Sequence, residues 1–393
     1  MNILFYRYGS ICEPDIVAAF AAFGINVIEE KSEVYDKDFS PSARAKLVNE
    51  LITKHSPFFV FSINFFPAIA EVCHIHNILY LCWSVDSPVM SLFTKSIQHP
   101  TNRIFLFDRE QYNRFHPYNP NCIFYLPLAA NIDRFDSVTQ SITAQDIDSY
   151  SADISFVGSL YSERNPLKEL TDLSSYARGC VDGIIESSLQ VYGYNFMEEA
   201  ISDTLLAEFK KVVPNFSSYF ELLTNVDKYT IAHKYIGIQA AEIERIRTLN
   251  KLAEHFSVDL YTYSDTTPLH SVRTHEAIES LYGMPKVLHL SKINLNMTIK
   301  PIQSGLPLRI FDIMGCGGFL MTNYQAELTD YFEIGRDLEC YSSLDELLDK
   351  CAYYLEHDDE RKQIALNGYE AVKRSHTYPH RIMEMIRIAS SGI

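Results

Sequence analysis

Short apolar runs alternate with helical patterns along the first part of the chain. Strands are predicted at residues 3–8, 25–30, 58–64, 78–86, 103–108 and 122–127. The third of these runs, FFVFSIN, is apolar almost throughout, as expected for a parallel strand buried on both faces. Strands separated by helices of this length indicate an α/β fold, with a doubly wound parallel sheet and right-handed crossovers.

A second set of strands follows a break in this pattern. Residues 131–152 are polar and lack periodicity, which favours a linker. Further strands are predicted at residues 153–158, 258–263, 293–298, 318–323 and 339–343. Residues 163–255 look mostly helical, so we expect a helical insertion in this second sheet domain. Helical patterns over 343–355, 358–374 and 378–390 close the chain.

The chain has 393 residues, more than a single core comfortably supports, so two domains are expected. The pattern places an N-terminal Rossmann-like domain at residues 1–135 and a linker at 136–152. A C-terminal Rossmann-like domain follows at 153–375. The last helix, in 376–393, is expected to pack back on the N-terminal domain.

Composition excludes several classes of protein. The net charge of −16 argues against nucleic acid as a partner, because binding to phosphates requires a basic surface. The 8 cysteines form no C-x-x-C pair, which argues against a zinc site and for a reducing compartment. The N-terminus, MNILFYRYG, resembles a strand more than a signal peptide, and no apolar run is long enough to span a membrane. A cytoplasmic protein without a transmembrane segment is therefore expected; its oligomeric state stays open.

Two Rossmann-like halves suit a dehydrogenase, a periplasmic-type binding protein or a glycosyltransferase. A dehydrogenase needs G-x-G-x-x-G after its first strand, whereas the turn here, RYGSICEP, has one glycine. The missing signal peptide weighs against the periplasmic class. Gly9 and Ser10 in this turn are expected to let the backbone approach a donor or an acceptor. A plain tight turn explains Gly9 nearly as well.

The segment from residue 293 to 328 contains most of the residues that could bind a ligand. A strand leads through a loop with Gly305 and Leu306 into a helix that opens at Pro307, whose N-terminal N–H groups suit a diphosphate. Arg309 and Asp312 share one face of this helix. A guanidinium suits phosphate oxygens and a carboxylate suits paired ribose hydroxyls, although a simple surface ion pair is the alternative.

These residues resemble those of a known family. Arg309, Phe311 and Asp312 are followed by the run Cys316–Leu320, CGGFL, and by Glu327. The resemblance extends to residues 339–381 and to DISFVGSLYSER at 153–164. It is weaker at residues 83–88 and 125–135. In these features the chain resembles CgeB-type (spore maturation protein-like) bacterial glycosyltransferases of the GT-B fold, which have two facing Rossmann-like domains.

The resemblance implies a donor site in the second domain. Many retaining GT-B enzymes open that domain with F-V-G-R-L-x-x-x-K-G, which places Gly158 at the glycine, Ser159 at the Arg and Arg164 at the Lys. One cation is thus missing, and Arg309 is expected to take its place. Asn296, at a strand end, is expected to face the donor. The ribose-binding glutamate corresponds to Asp312, but the glutamate before it falls on Ser304, which leaves the stereochemistry open.

The activity implied is transfer of a sugar from a nucleotide-diphosphate donor to a hydroxyl of a protein, glycan or small molecule. No metal or other cofactor is expected, because cationic side chains and helix-terminal N–H groups stabilise the departing diphosphate. Arg309 is the predicted catalytic cation. Asp86, at the end of a strand, is the predicted general base if the enzyme is inverting, although capping of the turn before Pro88 explains it equally well.

Two alternatives remain open at this stage. A non-catalytic protein of the GT-B fold that only binds a nucleotide sugar would tolerate the missing cation and glutamate. A sugar-nucleotide epimerase would convert the donor without any acceptor.

Overall fold

The computed structural model describes residues 1–219 and 221–390, without the side chain of Arg164. The chain forms two compact units. Unit 1 comprises Met1–Ala129, Ser218–Asn225 and the chain from His376 onward. Unit 2 comprises Ala130–Ser217 and Val226–Ser375. A short piece of the second half of the chain therefore belongs to the unit that the N-terminal residues build.

Unit 1 is built on a parallel sheet of six strands. The strands are β1 (Asn2–Tyr6), β2 (Asn26–Glu30), β3 (Phe59–Ile63), β4 (Leu79–Trp83), β5 (Asn102–Leu106) and β6 (Ile123–Tyr125). Their order in the sheet is β2-β1-β3-β4-β5-β6, and every neighbouring pair is parallel. All five residues of β3 are buried, as its apolar run predicts.

Helices connect the strands of unit 1. They are α1 (Glu13–Ala22), α2 (Ser32–Tyr35), α3 (Pro41–His55), α4 (Pro67–Ile75), α5 (Arg109–Phe115) and, near the C-terminus, α18 (Tyr378–Ser390). Short 3₁₀ turns lie at Met90–Phe93, Lys95–Gln98 and His116–Tyr118. Helix α18 packs against α1, and Tyr378 meets the buried Trp83 edge to face.

Unit 2 contains the second parallel sheet of six strands. The strands are β7 (Ala152–Val157), β8 (Val258–Tyr261), β9 (Arg273–His275), β10 (Ser291–Asn296), β11 (Leu320–Asn323) and β12 (Glu339–Tyr341). Their order is β12-β11-β10-β7-β8-β9, again with parallel pairs. The sheets confirm the predicted α/β class with two doubly wound parallel sheets.

The helices of unit 2 surround this sheet and fill the insertion. They are α6 (Ile132–Gln140), α7 (Ala144–Tyr150), α8 (Ser175–Ser188), α9 (Met197–Ala200), α10 (Asp203–Val212), α11 (Asp227–Thr230), α12 (Gly237–Ala253), α13 (Gly283–Leu290), α14 (Leu308–Gly315), α15 (Leu328–Tyr331), α16 (Leu344–Glu356) and α17 (Asp358–Ser375). A 3₁₀ turn lies at Ser162–Arg164, and a π-helical turn at Ile231–Ile236 leads into α12. Throughout residues 1–219 and 221–390, no helix combines the length and apolar character needed to cross a bilayer.

The insertion has a hydrophobic core of its own. Helices α8 to α12 bury Val181, Ile185, Leu205, Phe209 and Ile236 against one another. A separate cluster fills the space around the sheet, including Phe156, Leu260 and Leu295. The insertion is therefore a packed helical layer, as the long helical pattern predicts.

The predicted linker at residues 136–152 is instead helical and belongs to unit 2. Helix α6 buries Ile132, Phe135 and Val138 along one face, and α7 begins with a capping box between Thr143 and Asp146. Each helix is too short for its apolar face to stand out as a periodic pattern.

Glycine is required where β11 begins. A Cβ on Gly318 would lie 2.5 Å from the carbonyl oxygen of Leu288 and 2.7 Å from Nδ2 of Asn294. We expect Gly318→Ala to lower the free energy of unfolding by about 1–3 kcal/mol, as overpacking does. Urea unfolding of the full chain followed by circular dichroism measures this change.

The matched control is Gly183→Ala in α8, where an added Cβ meets nothing within 4 Å. This variant should gain about 0.5–1 kcal/mol of stability, because alanine loses less backbone entropy in a helix than glycine. Equal stability of Gly318→Ala and the wild type would contradict the requirement for glycine at residue 318.

Candidate functional site

A pocket of about 190 Å³ lies in unit 2 at the carboxyl ends of β7 and β10. The two strands pair in parallel, with Leu295 opposite Phe156, so the loops that follow them are neighbours. In open α/β sheets, ligands bind where such loops meet. The wall brings together four residues singled out from the sequence, namely Gly158, Ser159, Asn296 and Arg309.

The N-terminus of α14 also reaches this pocket. Pro307 is the N-cap residue, with φ −68° and ψ 160°, so the helix begins one residue later than the sequence predicts. No side chain caps this helix start. Because Pro307 and Arg309 both line the pocket, the partial positive charge of the first turn is presented there. Such a helix start is suited to an anion.

Arg309 and Asp312 form the ion pair that their spacing allows. Nη1 of Arg309 lies 3.2 Å from Oδ2 of Asp312, and the two side chains are 21% and 11% exposed. Arg309 also contacts the sulfur of Met284. Asp312 is not part of the pocket wall. The carboxylate of Asp312 thus orients the guanidinium of Arg309 without itself lining the pocket. Both side chains are more buried than those of an ordinary surface ion pair.

A second guanidinium, to which no sequence motif points, comes from α12. Arg245 is buried and lines the pocket. Its Nη1 donates to the carbonyl oxygen of Ser159 at 2.5 Å, and its Nη2 donates to that of Met297 at 2.7 Å. The same group lies over the rings of Phe156 and Tyr161. Arg245 therefore ties the loop after β7 to the loop after β10.

The charge of Arg245 is not matched by an ion pair. Among the described residues it makes no salt bridge, and its buried Nε has no hydrogen-bond partner. Burial lowers the pKa of Arg245, and repulsion from Arg309 acts in the same direction, while Glu244 opposes both. Since an arginine stays protonated in proteins, the pocket keeps two positive charges. An anion entering this pocket would supply the missing counter-charge.

The loop after β7 is held by its own hydrogen bonds. The Ser159 hydroxyl donates to Oε1 of Glu163 at 2.5 Å and accepts from the N–H of Tyr161 at 2.7 Å. The hydroxyl proton of Ser159 is therefore already engaged. The side chain of Arg164, predicted to grip the diphosphate, lies outside what the structure describes.

Asn296 lies on the pocket wall, but its amide nitrogen is already engaged in hydrogen bonds within the protein. It donates to the hydroxyls of Thr298 and Thr322, each at 2.9 Å. Gly305 and Leu306 are buried in the turn before α14 and are not on the wall.

Asp86 lies in unit 1, in a different pocket of about 590 Å³. The amide of Asn64 donates to Oδ2 of Asp86 at 2.6 Å and to the Tyr8 hydroxyl at 2.8 Å. Burial raises the pKa of Tyr8, and the charge of Asp86 raises it further. Tyr8 therefore stays protonated beside an ionisable carboxylate.

Gly9 and Ser10 follow β1, also in unit 1, and neither is on the wall of this pocket. Gly9 has φ +97°, a conformation that favours glycine. Its N–H donates to the buried carboxylate of Glu13 at 3.2 Å. The Ser10 hydroxyl lies 3.4 Å from the sulfur of Cys12. The tight-turn explanation accounts for these contacts.

The C-terminal part of the chain matches a known family. Residues 243–387 match the family described as glycosyl transferase-like, and this segment includes Arg245, Asn296, Arg309 and Asp312. No curated protein matches the chain.

Three solved structures of the same architecture are similar over nearly the whole chain. A glycosyltransferase from Rickettsia africae ESF-5 has 11% identity and a TM-score of 0.51, covering 100% of this chain and 98% of that one. Anabaena Alr3699/HepE in complex with UDP-glucose has 9% identity and a TM-score of 0.56, covering 100% of both chains. An E. coli structure described as trehalose-6-phosphate bound with UDP-2-fluoro glucose has 8% identity and a TM-score of 0.57, covering 99% of both.

These likenesses establish the fold. The two sheets of this chain have the GT-B architecture that the sequence predicts. Together with the family match, the fold supports a glycosyltransferase.

Replacing Arg245 tests whether its unpaired charge contributes to anion binding in this pocket. Arg245→Met keeps the length of the side chain but removes its charge. Pyrophosphate should stabilise the wild type by about 2.7 kcal/mol at 100 times its Kd. We expect the variant to bind pyrophosphate about 10- to 100-fold more weakly, since a hydrogen bond to a charged group contributes about 1.5–3 kcal/mol. A thermal-shift titration measures both values.

Arg247→Met is the matched control on the same helix. Arg247 is 53% exposed and pairs with Glu186 at the surface, so its variant should respond to pyrophosphate like the wild type. Identical titrations for the wild type and both variants would show that Arg245 does not contribute to anion binding.

Proposed function

We propose that the protein transfers a sugar from a nucleoside-diphosphate donor to a hydroxyl acceptor without the help of a metal ion. The observation that carries this proposal is the convergence of Arg245, Arg309 and the uncapped start of α14 on one pocket at the ends of β7 and β10. Each of these groups is positive, and the described residues of the pocket wall include no carboxylate. A diphosphate is the part of a sugar nucleotide that such a pocket suits.

The same groups suit the chemical step. When the bond between the anomeric carbon and the diphosphate oxygen breaks, negative charge grows on that oxygen. A donor aimed at such a developing charge typically contributes about 2.7–4 kcal/mol to the transition state. Because Asp312 orients Arg309 and two carbonyl oxygens hold Arg245, the guanidinium groups need little rearrangement when the charge appears. This preorganisation supplies what a metal ion would otherwise provide.

UDP is the first nucleotide to consider for the donor. Structures of the same fold hold UDP-glucose and UDP-2-fluoro glucose. In this proposal Asp312 is a positioning residue for Arg309. Its predicted contact with the ribose remains a prediction.

The finer assignment to the CgeB type rests on local residues. Within C-G-G-F-L, Gly317 adopts φ +71°, and Gly318 has no room for a side chain. Phe319 and Leu320 are buried. The backbone conformation, the lack of space or the burial thus explains the residue type at each of these four positions. On this local motif we propose that the transferase is of the CgeB type.

Asp86 stays the predicted general base for an inverting reaction. Its carboxylate accepts a hydrogen bond from Asn64 at 2.6 Å, beside the neutral phenol of Tyr8. A base at this position would take the proton of an acceptor hydroxyl as that oxygen attacks the anomeric carbon.

Replacing Arg309 with alanine tests the proposal. We expect Arg309→Ala to lower the rate of sugar transfer by about 10²–10³-fold, because one donor to the leaving group is lost. Its thermal midpoint should change little, since Arg309 is partly exposed. The rate is measured as UDP release from UDP-sugars at saturating donor, and binding as the thermal shift with UDP.

The matched control is Arg336→Ala, which removes an exposed arginine paired with Glu333 and should keep full activity. Full activity of Arg309→Ala would overturn the assignment of that residue. Binding of UDP with neither hydrolysis nor transfer would favour a protein that only binds the nucleotide sugar. Conversion of the donor without any acceptor would favour an epimerase.

A further inference from the structure

The pocket of unit 1 is completed by a segment from the helical insertion. We call residues 218–225 the strap; Phe220 within it lies outside the described structure. The strap pairs with residues 93–95: Glu221 accepts from the N–H of Lys95 at 3.0 Å, and Leu223 donates to the carbonyl of Phe93 at 2.8 Å. Thr94 and Leu222 form an antiparallel bridge between these hydrogen bonds. Backbone pairing thus fixes the strap in unit 1.

The strap contributes Ser218 and Tyr219 to the pocket wall. The Tyr219 side chain is hydrogen-bonded to Ser91, and burial raises the pKa of Tyr219, so the phenol is neutral. The residue is 37% exposed. Its ring is therefore held at one end, while part of its surface remains open to a ligand.

The rest of the wall is mainly aromatic and apolar. Tyr8, Phe65 and Phe66 stand with the rings of several prolines around a volume of about 590 Å³. This volume lies within the range of about 300–1,000 Å³ that small-molecule sites occupy. The pocket is large enough for a ligand of more than one ring.

The charged groups of the wall are few and their net charge is negative. Asp86 is held by Asn64 at 2.6 Å, and Glu33 forms an ion pair with Arg44 at 2.8 Å. One positive and two negative side chains line the pocket. A ligand that carries phosphate or carboxylate groups would meet this excess negative charge.

We infer that this pocket binds a sugar ring of a neutral carbohydrate acceptor, and that Tyr219 of the strap is the wall against which the ring stacks. The inference rests on the proposed function and names the class of its acceptor. A sugar ring presents C–H groups on its face and hydroxyls at its edge. The aromatic wall suits the face, and the carboxylate of Asp86, held in place by Asn64, suits hydroxyls at the edge as an acceptor.

This assignment also gives the helical insertion a role. Its helices pack around a core of their own, and the strap that they carry ends in the acceptor pocket. Changes in the strap would therefore alter which acceptor binds while leaving the residues of the unit 2 pocket in place.

The test is binding of defined sugars to the full chain. Saturation-transfer NMR and calorimetry are run with maltose, lactose and N,N′-diacetylchitobiose, and with glucose 6-phosphate as the anionic counterpart. We expect at least one neutral disaccharide to bind and glucose 6-phosphate to bind more weakly than all of them. Tyr219→Ala should weaken binding of the neutral sugar about tenfold, because the ring against which the sugar stacks is lost. Tyr219→Phe, which keeps the ring, should retain most of the affinity.

Tyr118→Ala is the matched control, because Tyr118 is also in unit 1, is 36% exposed and does not line the pocket. The thermal shift with UDP reports on unit 2 separately, so a chain that binds sugar but not UDP would contradict the proposed donor and spare this inference. The inference is overturned if no neutral disaccharide binds, if glucose 6-phosphate binds best, or if Tyr219→Ala and Tyr118→Ala bind sugar equally well.

Discussion

The site of unit 2 depends on one buried charge. The guanidinium of Arg245 has been removed from water, and two carbonyl oxygens rather than a carboxylate accept its hydrogen bonds. Burying a charge is costly unless it is paired, so this arrangement is most stable when an anion is also present. The same hydrogen bonds fix the loops after β7 and β10. The shape of the pocket and the anion binding proposed for it thus depend on the same side chain.

The two units carry different kinds of surface chemistry. The pocket of unit 2 has two guanidinium groups and a helix start, whereas the pocket of unit 1 is aromatic with a small excess of negative charge. An anionic donor would be repelled by the negative charge in the pocket of unit 1. A neutral acceptor would leave the positive charges in the pocket of unit 2 unpaired. The family match covers residues 243–387, which include the cationic residues, while most of unit 1 lies outside it. Under the proposed function, the donor chemistry therefore belongs to the matched segment, and the choice of acceptor to the remainder of the chain.

Most strands were predictable because each contains a short apolar run, which in β3 and β4 is buried almost completely. Strand β9 was missed because its three residues, Arg273–His275, are all exposed at a sheet edge. The linker prediction failed because α6 and α7 are too short to show a clear period. Ser159, Asn296 and Arg309 were placed at strand ends or a helix start, and the structure gathers them. Arg245 could not be found this way, since it lies mid-helix, about 50 residues or more in sequence from the other pocket residues.

Arg245 also shows why a departure from a motif is weak grounds against a function. The motif of the transferases that this chain resembles has an arginine where this chain has Ser159, and the loop alone therefore looks short of one cation. In the folded chain a guanidinium lies against the carbonyl of that same residue, delivered by α12 instead of by the loop. Electrostatic stabilisation depends on where a charge lies relative to the reacting atoms and on how well it is shielded from water. It does not depend on which segment supplies the charge, so a missing motif residue becomes informative only after the neighbours of its position in space are known.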